Sequence, residues 1–466
     1  SGPSAARRAR RADPPAGFGR GRARPAPLTW GAPMGAAADL EPPAPLPGPG
    51  PLRLPSASIE QVLACEAPVL IDLRSPGEFA EDHLPGARSL PLFDDLERAL
   101  VGTLYKQHSP ETAFSAGFEL AQGRIAELVA AIAGAAGRTL DAAQAVERMR
   151  ALGAGGQRAL EGRLQTERLE RLPPGSLVLN CWRGGLRSQA VVALLHCLGL
   201  PAVLLEGGYR SWRQRVSARL AAASWPRAFV LRGLTGVGKT LVLREVERQR
   251  PGSSLDLEAV ARHRSSILGR VGLEPVSQKA FDAGLALRFA AGFPHGRQGP
   301  WFVVEGESRK VGAVTQPESL WRALESGVAI ELVAPTAVRV RNLLQDYLEQ
   351  PGARAELAEP LRFIEQRLGR QRLRGGLVER LEDGREAELV ELLLEHYYDP
   401  LYRHSEAGQV YRARIDSSDP ARAAQQVLAF VEAHADGTAE LEASSESSRP
   451  AAAKPESRAP STRPPA

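Results

Sequence analysis

Cys181-Trp182-Arg183-Gly184-Gly185-Leu186-Arg187-Ser188 sets a thiol among glycines and two guanidiniums. A cysteine acts as a nucleophile through its thiolate, so the surroundings must favour the anion over a thiol that ordinarily titrates near roughly 8.5. Glycines let successive backbone N–H groups turn inward as an anion nest. A helix N-terminus after the loop adds partial positive charge. Arg183 and Arg187 can place fixed charge beside the sulfur. Such a thiolate could carry sulfur or selenium as a persulfide or selenosulfide. A purely structural cysteine would prefer apolar flanks. Cys197, on the apolar face of the next helix, meets that description and reads as core. Cys65 lies in a surface-like helix and is given no role.

A second loop follows downstream. Gly233-Leu234-Thr235-Gly236-Val237-Gly238-Lys239-Thr240 comes after the apolar strand Ala228-Phe229-Val230-Leu231 and opens a helix, as a P-loop requires. Gly233, Gly236 and Gly238 let backbone N–H groups surround phosphate oxygens. Lys239 adds a point charge, and the Thr240 hydroxyl can bind a metal ion. P-loop ATPases usually hold Mg²⁺ with an aspartate at the end of a second strand. Here Trp301-Phe302-Val303-Val304 ends at Glu305, with Glu307 and Arg309 just beyond. A nucleotide and a simple diphosphate both remain open as the ligand.

Two more polar clusters stand out. Asp256 and Glu258, followed by Arg262, His263 and Arg264, pack acid and base densely after a strand, as an anion or metal site would; a solvated helix face is the alternative. His396-Tyr397-Tyr398-Asp399-Pro400-Leu401-Tyr402-Arg403 could stack bases or hold a phosphate, or simply pack as a helix end.

These residues need elements to hold them. Val69-Leu70-Ile71-Asp72, Leu177-Val178-Leu179-Asn180 and Ala202-Val203-Leu204-Leu205 read as buried strands, with helices between them. That alternation implies a parallel α/β sheet with functional loops at the strand C-termini. Order is expected from near Ser56. Residues 94–101, 111–133 and about 337–398 have helical spacing. The chain should divide into an Arg/Pro-rich disordered tail (1–52), a first domain (53–222) with a partly helical insertion (134–172), a P-loop domain (223–436) with a helical C-terminal part, and a disordered tail (437–466).

With 466 residues, two folded domains are the natural expectation. Three cysteines without paired spacing argue against a disulfide framework and for a reducing, cytoplasmic setting. No apolar run is long enough to span a membrane. Residues 1–50 lack the hydrophobic segment of a secretory signal. The net charge of +5 favours an anionic partner such as nucleic acid, although an Arg surplus from GC-rich coding gives the same balance.

The motifs also carry resemblances. Val69 to Arg74, then Glu78-Phe79 and His83-Leu84-Pro85-Gly86-Ala87, then Cys181 to Ser188 and Glu206-Gly207-Gly208-Tyr209-Arg210-Ser211-Trp212, resemble a rhodanese domain in order. Val101 to Gln107, Gly233 to Thr240, the 256–264 cluster, Ser277-Gln278 with Phe281, Glu307-Ser308-Arg309 and Tyr398 to Tyr402 complete a pattern similar to the tRNA 2-selenouridine synthases, from about Ile59 to about Val431. The chain departs from that pattern at Gly306, where an acidic residue is more usual, and at Ser265, Asn180 and the long insertion.

The resemblance implies a transferase acting on wobble 2-thiouridine of tRNA. The thiocarbonyl sulfur takes a geranyl group from geranyl diphosphate, and selenium from selenophosphate then displaces the geranylthio group. Cys181 would be the S-selanylcysteine carrier, with Arg183 and Arg187 beside it. Asp256, Glu258, Arg262, His263, Arg264, Glu305, Glu307 and Arg309 would support the phosphate site. No covalently bound cofactor is expected; Mg²⁺ is a candidate. Expected partners are tRNA and an enzyme that makes selenophosphate, with no membrane. Two other readings stay open: a rhodanese-type sulfurtransferase coupled to an ATP-dependent kinase or ATPase, and a rhodanese-like scaffold without activity.

Overall fold

The computed structural model describes residues 50–349, 352–373, 375–401 and 408–435. The expected tails, apart from residues 50–52, lie outside the described residues, as do Tyr402 and Arg403. The chain forms two compact units that divide between Trp212 and Arg213, within the helix Tyr209–Ala221.

The first unit is built on one parallel sheet. Its strands are β1 (Leu52–Ala57), β2 (Val69–Asp72), β3 (Arg88–Ser89), β4 (Leu164–Arg168), β5 (Leu177–Asn180) and β6 (Val203–Leu205). They lie in the order β3-β2-β5-β6-β1-β4. All four residues of β5 are buried, as a strand covered on both faces of a parallel sheet must be. The helix Leu186–Cys197 buries Val191, Val192, Leu194 and Leu195 in the same core. That core also takes Ile125, Val129 and Ile132 from the helix Ile125–Ala135.

Three expectations change. The first strand starts at Leu52, ahead of the expected start near Ser56, and pairs from Leu52↔Leu164 to Ser56↔Arg168. Residues 134–172 are not only partly helical: β4 lies within them and forms the edge of the sheet. Its sequence LQTER is largely exposed, so no hydrophobic alternation announced it. Cys65 is buried, not on the surface, and its thiol donates to the Pro173 carbonyl at 3.1 Å.

The second unit holds β7 (Arg227–Arg232), β8 (Ser254–Leu255), β9 (His295–Gly296), β10 (Gly299–Glu305), a small hairpin of β11 (Lys310–Val311) and β12 (Val314–Thr315), β13 (Val328–Val333) and β14 (Ala413–Asp416). Its main sheet is parallel in the order β14-β13-β7-β10-β8. After β7 the chain goes to the far edge at β8, returns through β10, and then crosses to β13 on the other side. The loop after β7 therefore opens at a topological switch point, where α/β sheets bind ligands. The helices Lys239–Gln249 and Pro420–Ala435 cover one face through Val242, Val246, Ala423, Val427 and Val431. A separate helical core gathers Leu357, Leu361, Ile364, Leu377 and Leu393. Among the described residues, no helix is long and apolar enough to cross a membrane.

Candidate functional site

Cys181 follows β5 directly, and the helix beginning at Leu186 follows the loop. Cys181 is 3% exposed. Its Sγ lies 3.2 Å from Ser188 Oγ and 4.0 Å from the Gly185 carbonyl. A hydroxyl at that distance can donate to a thiolate. The loop is clamped from outside. Tyr209 N–H donates to the Cys181 carbonyl at 2.8 Å, and Arg210 N–H to the Trp182 carbonyl at 3.0 Å. Gly184 and Gly208 adopt φ of 66° and 58°, where a side chain is strained. A Cβ on Gly208 would stand 2.4 Å from the Cys181 oxygen. The Glu206-Gly207-Gly208 turn is thus the backbone mould of the cysteine loop.

A buried network continues from that mould. Arg74 donates to Asp72 at 2.7 Å and to the Asp82 carbonyl at 2.7 Å, and its guanidinium stacks 3.6 Å over the Tyr209 ring. Tyr209 donates to Asp82 Oδ2 at 2.7 Å. The two expected arginines stand differently: Arg183 is exposed, and Arg187 lies 3.8 Å from Glu78. Ser188 is the polar side chain that faces the sulfur, and only the fold picks it out. Cys65 and Cys197 are both raised above the ordinary thiol pKa by burial first of all. They stay neutral thiols.

In the second unit Gly233, Gly236 and Gly238 have φ of 132°, 81° and 90°. A Cβ on Gly233 would meet the Leu332 carbonyl at 2.3 Å, so glycine is what lets the loop leave β7 beside β13. Lys239 Nζ donates to the Gly233 carbonyl at 2.9 Å, which folds the lysine over its own loop. Two residues far along the chain brace the cradle. Arg339 donates from Nε to the Thr235 carbonyl at 2.8 Å and pairs with Asp399 at 3.0 Å. Asn342 donates to the Gly236 carbonyl at 2.9 Å. Both come from the helix Thr336–Leu348, and no motif marked them in advance.

The carboxylates converge through sheet register. Val304 pairs with Leu255, so Glu305 ends β10 beside Asp256, which caps the helix Leu257–Ala261. Glu305 accepts from the Glu258 N–H at 2.8 Å. Thr240 Oγ1 lies 3.3 Å from Glu258 and 3.4 Å from Glu305. Burial, reinforced by the neighbouring acids, raises Glu305 well above the usual carboxylate range. Burial first, then Glu307, pushes Glu258 up to about 7. Burial also raises Asp256 and Glu307, while Lys239 opposes the rise at Glu307. Among the described residues, no group of three His, Cys, Asp or Glu side chains could hold a metal ion.

A cavity of about 430 Å³ opens above the loop. Lys239, Thr240, Glu258, His263, Glu307 and Lys310 give it a polar lining, and Ile267, Leu343 and Tyr347 also line it. His263 is lowered below its usual pKa, chiefly by burial. Arg264 also lines the cavity, but it donates to the Val271 and Asp346 carbonyls at 2.9 and 2.8 Å, as a brace. Arg262 ends its helix at φ 50° with an exposed side chain, and Arg309 pairs with Glu318 at 2.7 Å. Neither lines the cavity. Gly306 has a physical reason: a Cβ there would lie 2.8 Å from Arg232 Cγ, so the arginine stem takes the space. Tyr397, Tyr398 and Leu401 of the tyrosine cluster line the same cavity, and Asp399 holds Arg339.

Fold and site define an α/β enzyme with a P-loop domain joined to a second parallel-sheet unit that presents a cysteine at a strand end. Residues 226–435 match the family model described as tRNA 2-selenouridine synthase AAA domain. The tRNA 2-selenouridine synthase of Chromohalobacter salexigens is 31% identical, over 78% of this chain and 94% of its own. That of Nitrosomonas europaea is 30% identical, over 78% and 95%. The chain belongs to the tRNA 2-selenouridine synthase family. Among solved structures, a shikimate kinase from Acinetobacter baumannii matches at 16% identity with a TM-score of 0.22, covering 46% of this chain and 98% of that one.

Proposed function

We propose that this enzyme converts wobble 2-thiouridine of tRNA to 2-selenouridine in two steps, S-geranylation and then selenium exchange. The observation that carries the reading is the pairing, in one chain of this family, of a P-loop cavity lined by both polar and apolar residues and a moulded cysteine loop. In the first step the thiocarbonyl sulfur bonds to C1 of geranyl diphosphate as the C1–O bond breaks and pyrophosphate leaves. Lys239 and the loop N–H groups offer preorganised positive charge to that leaving group. Alkylation at sulfur releases the ring N–H proton, and Glu258, raised by burial to about 7, is the acceptor we assign. Mg²⁺ takes one or two carboxylates together with phosphate oxygens. Thr240 and Glu305, 3.4 Å apart, offer oxygens of that kind and would hold it, where it would neutralise the diphosphate.

In the second step selenium bonds to C2 and the C2–S bond breaks, releasing geranylthiol. Selenophosphate supplies selenium at the selenide level: water bonds to its phosphorus as the P–Se bond breaks, leaving phosphate. Cys181 would carry that selenium as Cys–S–Se⁻, with a disulfide as the two-electron oxidant that forms the S–Se bond and a thiol that cleaves it once selenium is bonded to C2. The rhodanese-like reading of the first unit rests on this cysteine at the end of β5, and tRNA and a selenophosphate-producing enzyme are the implied partners.

The test is mass spectrometry of nucleosides from 2-thiouridine tRNA incubated with the enzyme. Geranyl diphosphate alone should give the geranylated nucleoside, and added selenophosphate should give 2-selenouridine. ATP hydrolysis without tRNA, and no geranylated nucleoside, would favour the kinase-coupled sulfurtransferase instead.

A further inference from the structure

Beside the P-loop cavity lies a second chamber of about 50 Å³. Thr235, Leu343, Tyr347 and Tyr398 line both, so the two spaces adjoin. The rest of the chamber wall is dominated by leucine. Leu344 and Leu348, one turn apart on the helix Thr336–Leu348, line it together with Leu361 and Leu393. Among the described lining residues the one charge is Glu386, and Arg354 neutralises it. Protein interiors pack densely, with few voids larger than a water molecule. An apolar void of this kind stays dry and accepts an apolar guest.

The same helix therefore does two things. Arg339 and Asn342 hold the phosphate loop from one side, while Leu344 and Leu348 wall the chamber. A ligand that suits both parts has a phosphate head and a hydrocarbon tail. A nucleoside base suits them poorly, because its polar edges would be buried against leucines without partners. The chamber is too small for a whole isoprenoid chain, so it would take the far end while the near end lies along Ile267 and Leu343.

We propose that Leu344, Leu348 and the leucines lining the chamber with them seat the hydrocarbon end of an acyclic allylic diphosphate and set its length. This rests on the reading that the P-loop holds geranyl diphosphate. The experiment is calorimetric titration of the full chain with inorganic pyrophosphate and with dimethylallyl, geranyl and farnesyl diphosphates. The wild type should bind geranyl diphosphate at least about tenfold more tightly than pyrophosphate. Leu348→Phe and Leu344→Phe, at half-buried positions, should each weaken geranyl diphosphate about tenfold. Both should leave pyrophosphate and dimethylallyl diphosphate within about twofold. Leu393→Ala should enlarge the chamber and shift preference toward farnesyl diphosphate. Thermal unfolding of each variant shows that it is folded; if one phenylalanine variant unfolds, the other carries the comparison. Tight geranyl binding with unchanged chain-length preference in a folded phenylalanine variant would overturn the chamber assignment and leave the geranyl reading standing. A wild type that binds geranyl diphosphate no better than pyrophosphate would overturn both.

Discussion

Cys181 and Lys239 occupy the same kind of place. Each belongs to a loop that follows an interior strand of a parallel sheet and leads into a helix, Lys239 as that helix's first residue, and each loop turns on glycines at positive φ. What surrounds the two loops differs. The cysteine loop is closed by backbone: the 206–208 turn supplies its mould, and a neutral hydroxyl, Ser188, meets the sulfur. The lysine loop lies among charge: Glu305 and Glu307 are buried, Asp256 and Glu258 half-buried, and Glu258 and Glu305 reach Thr240. One backbone plan thus serves the covalent carrier we propose in the first unit and the electrostatic cradle we propose in the second. The lesson is that a strand-to-helix glycine loop presents N–H groups, and the neighbouring elements decide what those groups are for.

The sharpest way to break this contrast is to exchange the losses. Cys181→Ala should reduce selenium incorporation to background while geranylation persists, read by nucleoside mass spectrometry. Lys239→Ala should weaken geranyl diphosphate by roughly ten- to a hundredfold in calorimetry, the usual size of a lost charged hydrogen bond. Loss of both steps in a well-folded Cys181→Ala variant would end the division of labour.

A smaller effect tests the mould. Gly208→Ala places a Cβ 2.4 Å from the Cys181 oxygen at φ 58°. It should cost about 1–3 kcal/mol in denaturant unfolding and slow selenium transfer without changing geranyl diphosphate binding. An unchanged midpoint would mean that the turn yields and is no mould.

The smallest effect is a pH slope. Glu258 is raised in the folded state to about 7, so the native protein binds a proton more readily than the unfolded chain. Stability from this group is complete below the ordinary glutamate range and is lost as pH rises through about 7. Metal-free protein should therefore unfold at lower urea at pH 8 than at pH 5, and Glu258→Gln should flatten that slope. An equal slope in the variant would place the titration elsewhere in the cluster.

The parallel α/β class, the P-loop and the cysteine loop were all legible in the chain, because each is carried by contiguous residues whose period or glycine content has a local cause. β4 was not, since an exposed polar edge strand leaves no hydrophobic pattern. Cys65 looks exposed from its neighbours in sequence, yet it is buried and meets the Pro173 segment, far along the chain. Arg183, Arg262 and Arg309 were natural candidates by type and neighbourhood. In the fold Arg183 and Arg262 are exposed and Arg309 is paired with Glu318.

By itself the sequence determined the reactive groups and their order: a thiol at one strand end, a lysine at another, and acids after β8 and β10. Local chemistry suffices for that, since nests and helix starts need only a few consecutive residues. Tertiary structure decided which groups meet. Register between β8 and β10 set Asp256 beside Glu305, and the helix at 336–348 brought Arg339 and Asn342 under the phosphate loop and Leu344 and Leu348 around the chamber. It also decided how the acids titrate, because desolvation depends on the packed volume around a carboxyl rather than on its neighbours in the chain.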